Sequence, residues 1–134
     1  MDALPEWPAG TVAVLSTAAG EPHAIPLSTA LRAGPRAVVF ALALRRESLA
    51  RLREDPRCAL TILAAGDVAV TAIGRAAVVE ELERVAVVRL DVERVQDHGQ
   101  DTFVIDDGVQ WRWVDADAER ADAEVRAALR GQTS

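Results

Sequence analysis

The chain has 134 residues, 50% hydrophobic and 27% charged, which is enough apolar material for one core-forming domain and leaves little for a second. Fifteen arginines, no lysine and 21 acidic residues leave a formal charge of -6. That charge argues against a phosphate-backbone partner, and the missing lysine excludes any Schiff-base mechanism.

After a proline-punctuated lead-in, residues 11–17 (TVAVLST) are rich in β-branched side chains and read as a first strand, closed by the turn signature Ala18-Ala19-Gly20-Glu21-Pro22. Residues 22–31 (PHAIPLSTAL) predict one kinked second strand. Its Pro26 cannot donate to a ladder, which places it at an edge or a bulge. A turn over 32–36 leads to residues 37–44 (AVVFALAL), a nearly continuous apolar run that predicts a strand buried on both faces. Leu49 and Leu52 then follow helical spacing until Pro56, which predicts a short helix over 47–54.

Residues 58–64 and 68–80 predict two strands joined at Gly66-Asp67, with a bulge at Gly74. A strand over 87–95 follows. Residues 102–105 and 109–114 read as a hairpin around Asp106-Asp107-Gly108, with Val109, Trp111 and Trp113 on one face. The last element is a helix over about 115–130. Asp115 or Asp117 caps it, Ala118, Ala121, Val125, Ala128 and Leu129 form its apolar stripe, and Gly131 stops it. Six or seven short-turned strands with two helices predict a mostly β fold, a small antiparallel barrel with flanking helices.

No apolar run approaches the roughly 18 residues needed to span a bilayer, so no membrane partner is expected. The beginning of the chain carries neither a basic leader nor an apolar stretch, which sets the expectation of a cytoplasmic protein. Cys58 is the single cysteine and His23 and His98 are scattered, so neither a disulfide nor a metal site is expected. Serines, histidines and carboxylates are present, but no spacing among them points to a hydrolytic triad. His23 reads as a structural or surface residue in a turn, and His98 as a solvated loop residue. Arg45-Arg46-Glu47-Ser48 joins a buried strand to a helix start, where backbone N–H groups and guanidinium forks suit a phosphate. In the blander reading the arginines form a solvated turn and Ser48 is an N-cap.

Taken in order, GTVAVLST, PHAIPLSTAL, RAVVFAL, RRESLARLREDPRCALTIL and VAVTAIGRAAVVE resemble the pyridoxamine 5'-phosphate oxidase-like split β-barrel family, which binds FMN or the deazaflavin F420. The likeness covers about residues 8–80. It is most specific over 49–62, where a helix ending in Leu-Arg-Glu-Asp-Pro-Arg runs straight into an apolar strand, and Ile73-Gly74-Arg75-Ala76 is similar to a later family strand.

The resemblance implies one split-barrel flavin-binding domain over 1–134, in a homodimer with two cofactor sites at the subunit interface. The phosphate tail would lie at the turn before the short helix. Arg46, Glu47 and Ser48 fall where members commonly carry Ser, Arg and Lys, so the usual lysine is replaced by Ser48, and Arg46 with Arg45 would restore the charge. Arg51 is a helper one turn on. Leu27, Ser28 and Thr29 fall along the isoalloxazine edge, with Ala41, Leu42 and Thr61 approaching from the next strands. Trp111 and Trp113 would wall the partner's site or pack as core or interface, and Trp7 would serve as a lid or a plug.

The implied activity is an FMN- or F420-dependent oxidoreductase acting on an unidentified small molecule, with no catalytic residue singled out. Oxidation of pyridoxamine phosphate itself is disfavoured, because VRAALRGQTS lacks the basic substrate motif of the true oxidases. The alternatives are a non-catalytic carrier or sensor of flavin, haem or another ligand, and a ligand-free β-barrel adaptor.

Overall fold

The computed structural model of the protein describes residues 1–133. Its elements run β1 (Ala13–Thr17), β2 (His23–Leu27), β3 (Leu31–Gly34), β4 (Ala37–Ala43), α1 (Glu47–Glu54), β5 (Arg57–Ala64), β6 (Val68–Glu81), β7 (Val85–Asp97) and α2 (Ala116–Arg130). The strands form one antiparallel sheet in the order β2-β1-β5-β6-β7-β4-β3.

The stretch predicted as one kinked strand over 22–31 is two strands. They lie at opposite edges of the sheet and are joined only by Ser28, Thr29 and Ala30. A link of that length reaches on the order of 10 Å, so the sheet must curl until its edges nearly meet, and the result is a split barrel. Pro26 sits on the edge strand β2, opposite Val14, where its missing donor costs no ladder bond. Residues 32–34, expected as part of a turn, extend the strand from Leu31 and pair with β4 instead, and the reversal is confined to Pro35 and Arg36.

Alternation along the strands fills the barrel with Leu15, Val38, Phe40, Leu60, Ile62, Val70, Val88 and Leu90. Leu49 and Leu52 of α1 join the same core, so α1 plugs one end. Trp7 packs against that core and donates from Nε1 to the Ala30 carbonyl at 3.0 Å, beside the split. A second, smaller core on the outer face joins Ala33, Ala37, Val39 and Val87 to Leu129 of α2. These two cores explain the unbroken apolar run of β4, whose residues alternate between the barrel interior and the α2 contact.

The Gly66-Asp67 turn has positive φ at both residues (83° and 59°), the backbone a tight hairpin demands. At the β6 bulge a Cβ on Gly74 would lie 2.0 Å from the Asp91 carbonyl oxygen, so only glycine lets β6 and β7 close there. The β7 strand is longer than read, beginning at Val85 and ending at Asp97.

The hairpin expected over 102–114 does not form. Residues 103–113 are irregular and tied to the barrel by single bonds, Ile105 N–H to Asp67 Oδ1 (2.8 Å) and Trp111 Nε1 to the Gly10 carbonyl (2.8 Å). Trp111 and Trp113 do meet, ring edge to face at 4.9 Å, while Val109 is 66% exposed. Asp115 caps α2, its Oδ1 accepting from Ala118 N–H. Leu129 is buried and Val125 and Ala128 half-buried, but Ala121 of the expected stripe is exposed. Gly131 ends the helix with φ -64°, so the left-handed freedom expected of it is not used. No helix among the described residues is long and apolar enough to cross a membrane.

Candidate functional site

The residues singled out in the sequence fall into three groups. The first surrounds the start of α1. Arg46, not Ser48, occupies the N-cap, and it makes no side-chain capping bond. A tight reversal, closed by Arg46 N–H donating to the Ala43 carbonyl, leaves Arg45 and Arg46 exposed, and neither guanidinium has a hydrogen-bond or ion-pair partner among the described residues. Ser48 is 1% exposed, and its Oγ is hydrogen bonded to His23 Nε2 at 3.0 Å. His23 therefore has the structural one of the two roles expected of it, anchoring the helix start, but from within β2 and not from a turn.

The other ring nitrogen of His23, Nδ1, lies 3.4 Å from Glu47 Oε2, and Glu47 Oε1 lies 3.3 Å from Arg51 Nη2. Arg51 thus draws Glu47 along the helix and offsets the charge that would oppose an anion at Arg45 and Arg46, with the His23 ring beside the other carboxylate oxygen. Arg51 is itself engaged. Its Nη1 donates to the carbonyls of Ala19 (2.6 Å) and Glu21 (2.8 Å), which staples α1 to the β1–β2 turn, and its Nε is buried without a partner. Ser48 Oγ stands in series with His23 and Glu47 as a carboxylate–imidazole–hydroxyl chain, but burial keeps it from acting as a nucleophile.

The second group lies under α2. Thr29 Oγ1 accepts from Ala41 N–H at 3.0 Å, fixing the β2–β3 link to β4, and the Ser28 carbonyl accepts from Arg126 Nη2 at 3.1 Å. Arg126 also pairs with Asp122 at 2.5 Å and stands 5.8 Å from the Trp111 ring centroid. Ser28 and Trp111 thereby meet at one arginine, with Ala41 joined to the neighbouring Thr29 and Trp113 to Trp111. Leu27 and Leu42 instead face the barrel core, with Leu42 fully buried.

The third group lies across the outer face of β5 and β6. Thr61 Oγ1 and Thr71 Oγ1 are 2.9 Å apart, and Thr71 Oγ1 is 2.8 Å from His98 Nε2. His98 is thus tied into the sheet and not simply solvated. Cys58 stands apart from all three groups, with burial pushing its thiol up to about 12, so it holds no reactive thiolate.

Arg126 and the two histidine contacts were missed because their partners are distant in sequence, Arg126 and Ser28 by 98 residues. The Glu47–Arg51 pair was open to reading, since i,i+4 spacing brings such side chains together on a helix.

The profile of the family described as pyridoxamine 5'-phosphate oxidase matches residues 2–121, and the chain belongs to that family. No curated protein matches it in sequence. Among solved structures it is similar to the tagged HupZ of group A Streptococcus (12% identity, TM-score 0.57, covering 69% of this chain and 90% of that one). It is also similar to an FAD-binding protein from Mesorhizobium loti (18%, 0.53, 65% and 84%) and to a heme binding protein from Mycobacterium smegmatis (24%, 0.52, 65% and 48%). At these identities the structural likeness is one of fold.

Proposed function

We propose that the chain binds FMN, or F420 in its place, at the turn between β4 and α1 within a homodimer, and acts as an oxidoreductase on a small organic molecule. The observation that carries this reading is the pair of exposed, unpartnered guanidinium groups of Arg45 and Arg46 at a helix start in a member of this family. A phosphate there would gain charge-assisted hydrogen bonds at no cost to existing ion pairs. The FAD-binding relative supports a flavin. When bound, the cofactor supplies the hydride chemistry. The chain's part is to bind and orient: Arg45 and Arg46 hold the anionic tail, the Thr29 bond fixes the backbone at Ala41, and Arg51 draws Glu47 away from the anion.

One observation favours a second reading, a non-catalytic carrier of flavin or haem. The hydroxyl that stands in place of the family's lysine, Ser48 Oγ, is buried against His23 and offers a phosphate nothing. A heme binding protein is among the structural relatives.

An absorbance spectrum of the purified protein, followed by titration with FMN, with F420 and with haem, separates the cofactor site from a haem carrier. Tight binding of FMN or F420, weakened by about 1.5–3 kcal/mol in Arg46→Ala, supports the cofactor site. Unchanged affinity in that variant removes Arg46 from the site, and failure to bind both cofactors while haem binds puts a haem carrier first.

A further inference from the structure

The irregular segment 103–113 closes a cavity of about 350 Å³ against residues 8–11 and the end of β5. Its walls include Pro8, Gly10, Ala64, Asp107, Gln110 and Trp111. Both sides are anchored. The Trp111 indole donates to the Gly10 carbonyl at 2.8 Å, and a Cβ on Gly10 would lie 3.3 Å from the Trp111 ring, so this positive-φ glycine (82°) lets the ring lie against the backbone. Opposite, a Cβ on Gly108 would lie 3.2 Å from the Leu63 carbonyl oxygen, which seats the segment directly on β5.

Asp107 is the one charged side chain among the described residues that line this cavity. Its Oδ1 accepts from the Gly108 N–H at 2.8 Å and its Oδ2 from the Gln110 side-chain amide at 2.9 Å, which fixes the carboxylate and leaves each oxygen a further lone pair. The same two donors, Gln110 before Gly108, hold the Asp107 carboxyl below its ordinary value, so it is anionic at neutral pH. No guanidinium of the chain answers that charge within the cavity. Arg126, beside the Trp111 ring, is paired with Asp122, and Arg112 does not line the space.

We infer that this cavity binds a small planar cation, an amidinium or guanidinium carrying one ring, with its N–H fork on the Asp107 carboxylate and its ring beside Trp111. The lone carboxylate sets the charge. Its two oxygens, each with one acceptor position left, match the two parallel N–H groups of a planar fork. Trp111 sets the ring, because an indole fixed next to that carboxylate offers apolar contact and attracts a cation. The volume lies at the small end of ligand cavities, which suits a single ring. The inference does not rest on the cofactor reading, whose ligand has the opposite charge and is held by other residues.

The probes are benzamidine, a cation at neutral pH, and benzamide, its uncharged analogue of nearly the same shape. Each is titrated into the full chain while following the Trp111 indole N–H signal by NMR, the signal being assigned by its loss in Trp111→Phe. Benzamidine is expected to shift that signal and to bind about fivefold more tightly than benzamide, the upper range for an exposed ion pair. The preference should vanish in both Asp107→Asn and Asp107→Ser and persist in Asp101→Asn, which alters an exposed carboxylate outside the cavity. Equal binding of the two probes, an undiminished preference in both Asp107 variants, or a Trp111 signal that benzamidine does not move overturns the site. FMN binding is read separately in Arg46→Ala, so failure of the cofactor reading and failure of this one give different results.

Discussion

Helix α1 has eight residues and no side-chain cap, whereas α2 has fifteen, an Asp115 cap and the internal Asp122–Arg126 pair. Burial runs the other way. Three residues of α1 (Ser48, Leu49 and Leu52) are buried and Arg51 staples it to the β1–β2 turn, while α2 buries only Leu129. An isolated helix as short as α1 would not persist in water, so its order comes from the barrel end it plugs. Helix α2 has the stronger local code and the weaker tertiary attachment. The arginine-bearing turn therefore leads into the helix that the barrel holds more firmly of the two.

The sharpest way to break this contrast is Leu49→Ala, which should destabilise the whole fold by about 2–5 kcal/mol in urea unfolding, because it opens a cavity where the plug meets the core. A loss below about 1 kcal/mol would mean that the helix rests on the barrel without plugging it.

A smaller effect is expected at the other helix. Asp115→Ala removes the cap and should cost about 1 kcal/mol. Because α2 has so little buried surface, the loss should appear as faster amide hydrogen exchange within α2 and the residues leading into it, with barrel amides unchanged. A uniform acceleration across the sheet would instead join α2 to the barrel's cooperative unit.

The slightest effect concerns Asp55, the C-cap of α1, whose carboxyl is lowered to about 2, chiefly by its side-chain hydrogen bond with Arg57 and then by the Arg57 backbone N–H. Its folded value lies below the ordinary 3.8, so its contribution is complete above that pH and is lost as pH falls towards 2. The pair is exposed and solvent screens it, so Asp55→Asn should only flatten the stability profile a little between about pH 4 and 2 and leave it unchanged at neutrality. A profile identical to the wild type in that range would show that the pair does not couple to folding.

Much of the barrel was legible because its signals are local. The apolar run of β4, the positive-φ hairpin at Gly66-Asp67, the Gly74 bulge and the spacing of Leu49 and Leu52 each depend on neighbours in the chain, and each appears where the pattern put it. The alternation in VQWRWV was equally clear yet produced no strand. A period of two prepares a segment to pair, but pairing needs a free edge, and this segment passes over the barrel held by Trp111 and Ile105. For the candidate site, the paired arginines before α1 could be read directly, since consecutive residues at a helix start share a surface. The inward turn of Ser48 onto His23 could not, because it depends on β2 lying against α1.

Local conformational preference was enough to give most of the elements and the arginines at the β4–α1 turn, and the order of the segments carried the resemblance to the family. Two features waited on the folded chain: the division of residues 22–31 between the two sheet edges, and the seating of His23 against Ser48 and Glu47. These depend on the curl of the sheet, and a three-residue link between its edge strands imposes that curl only once all seven strands have paired.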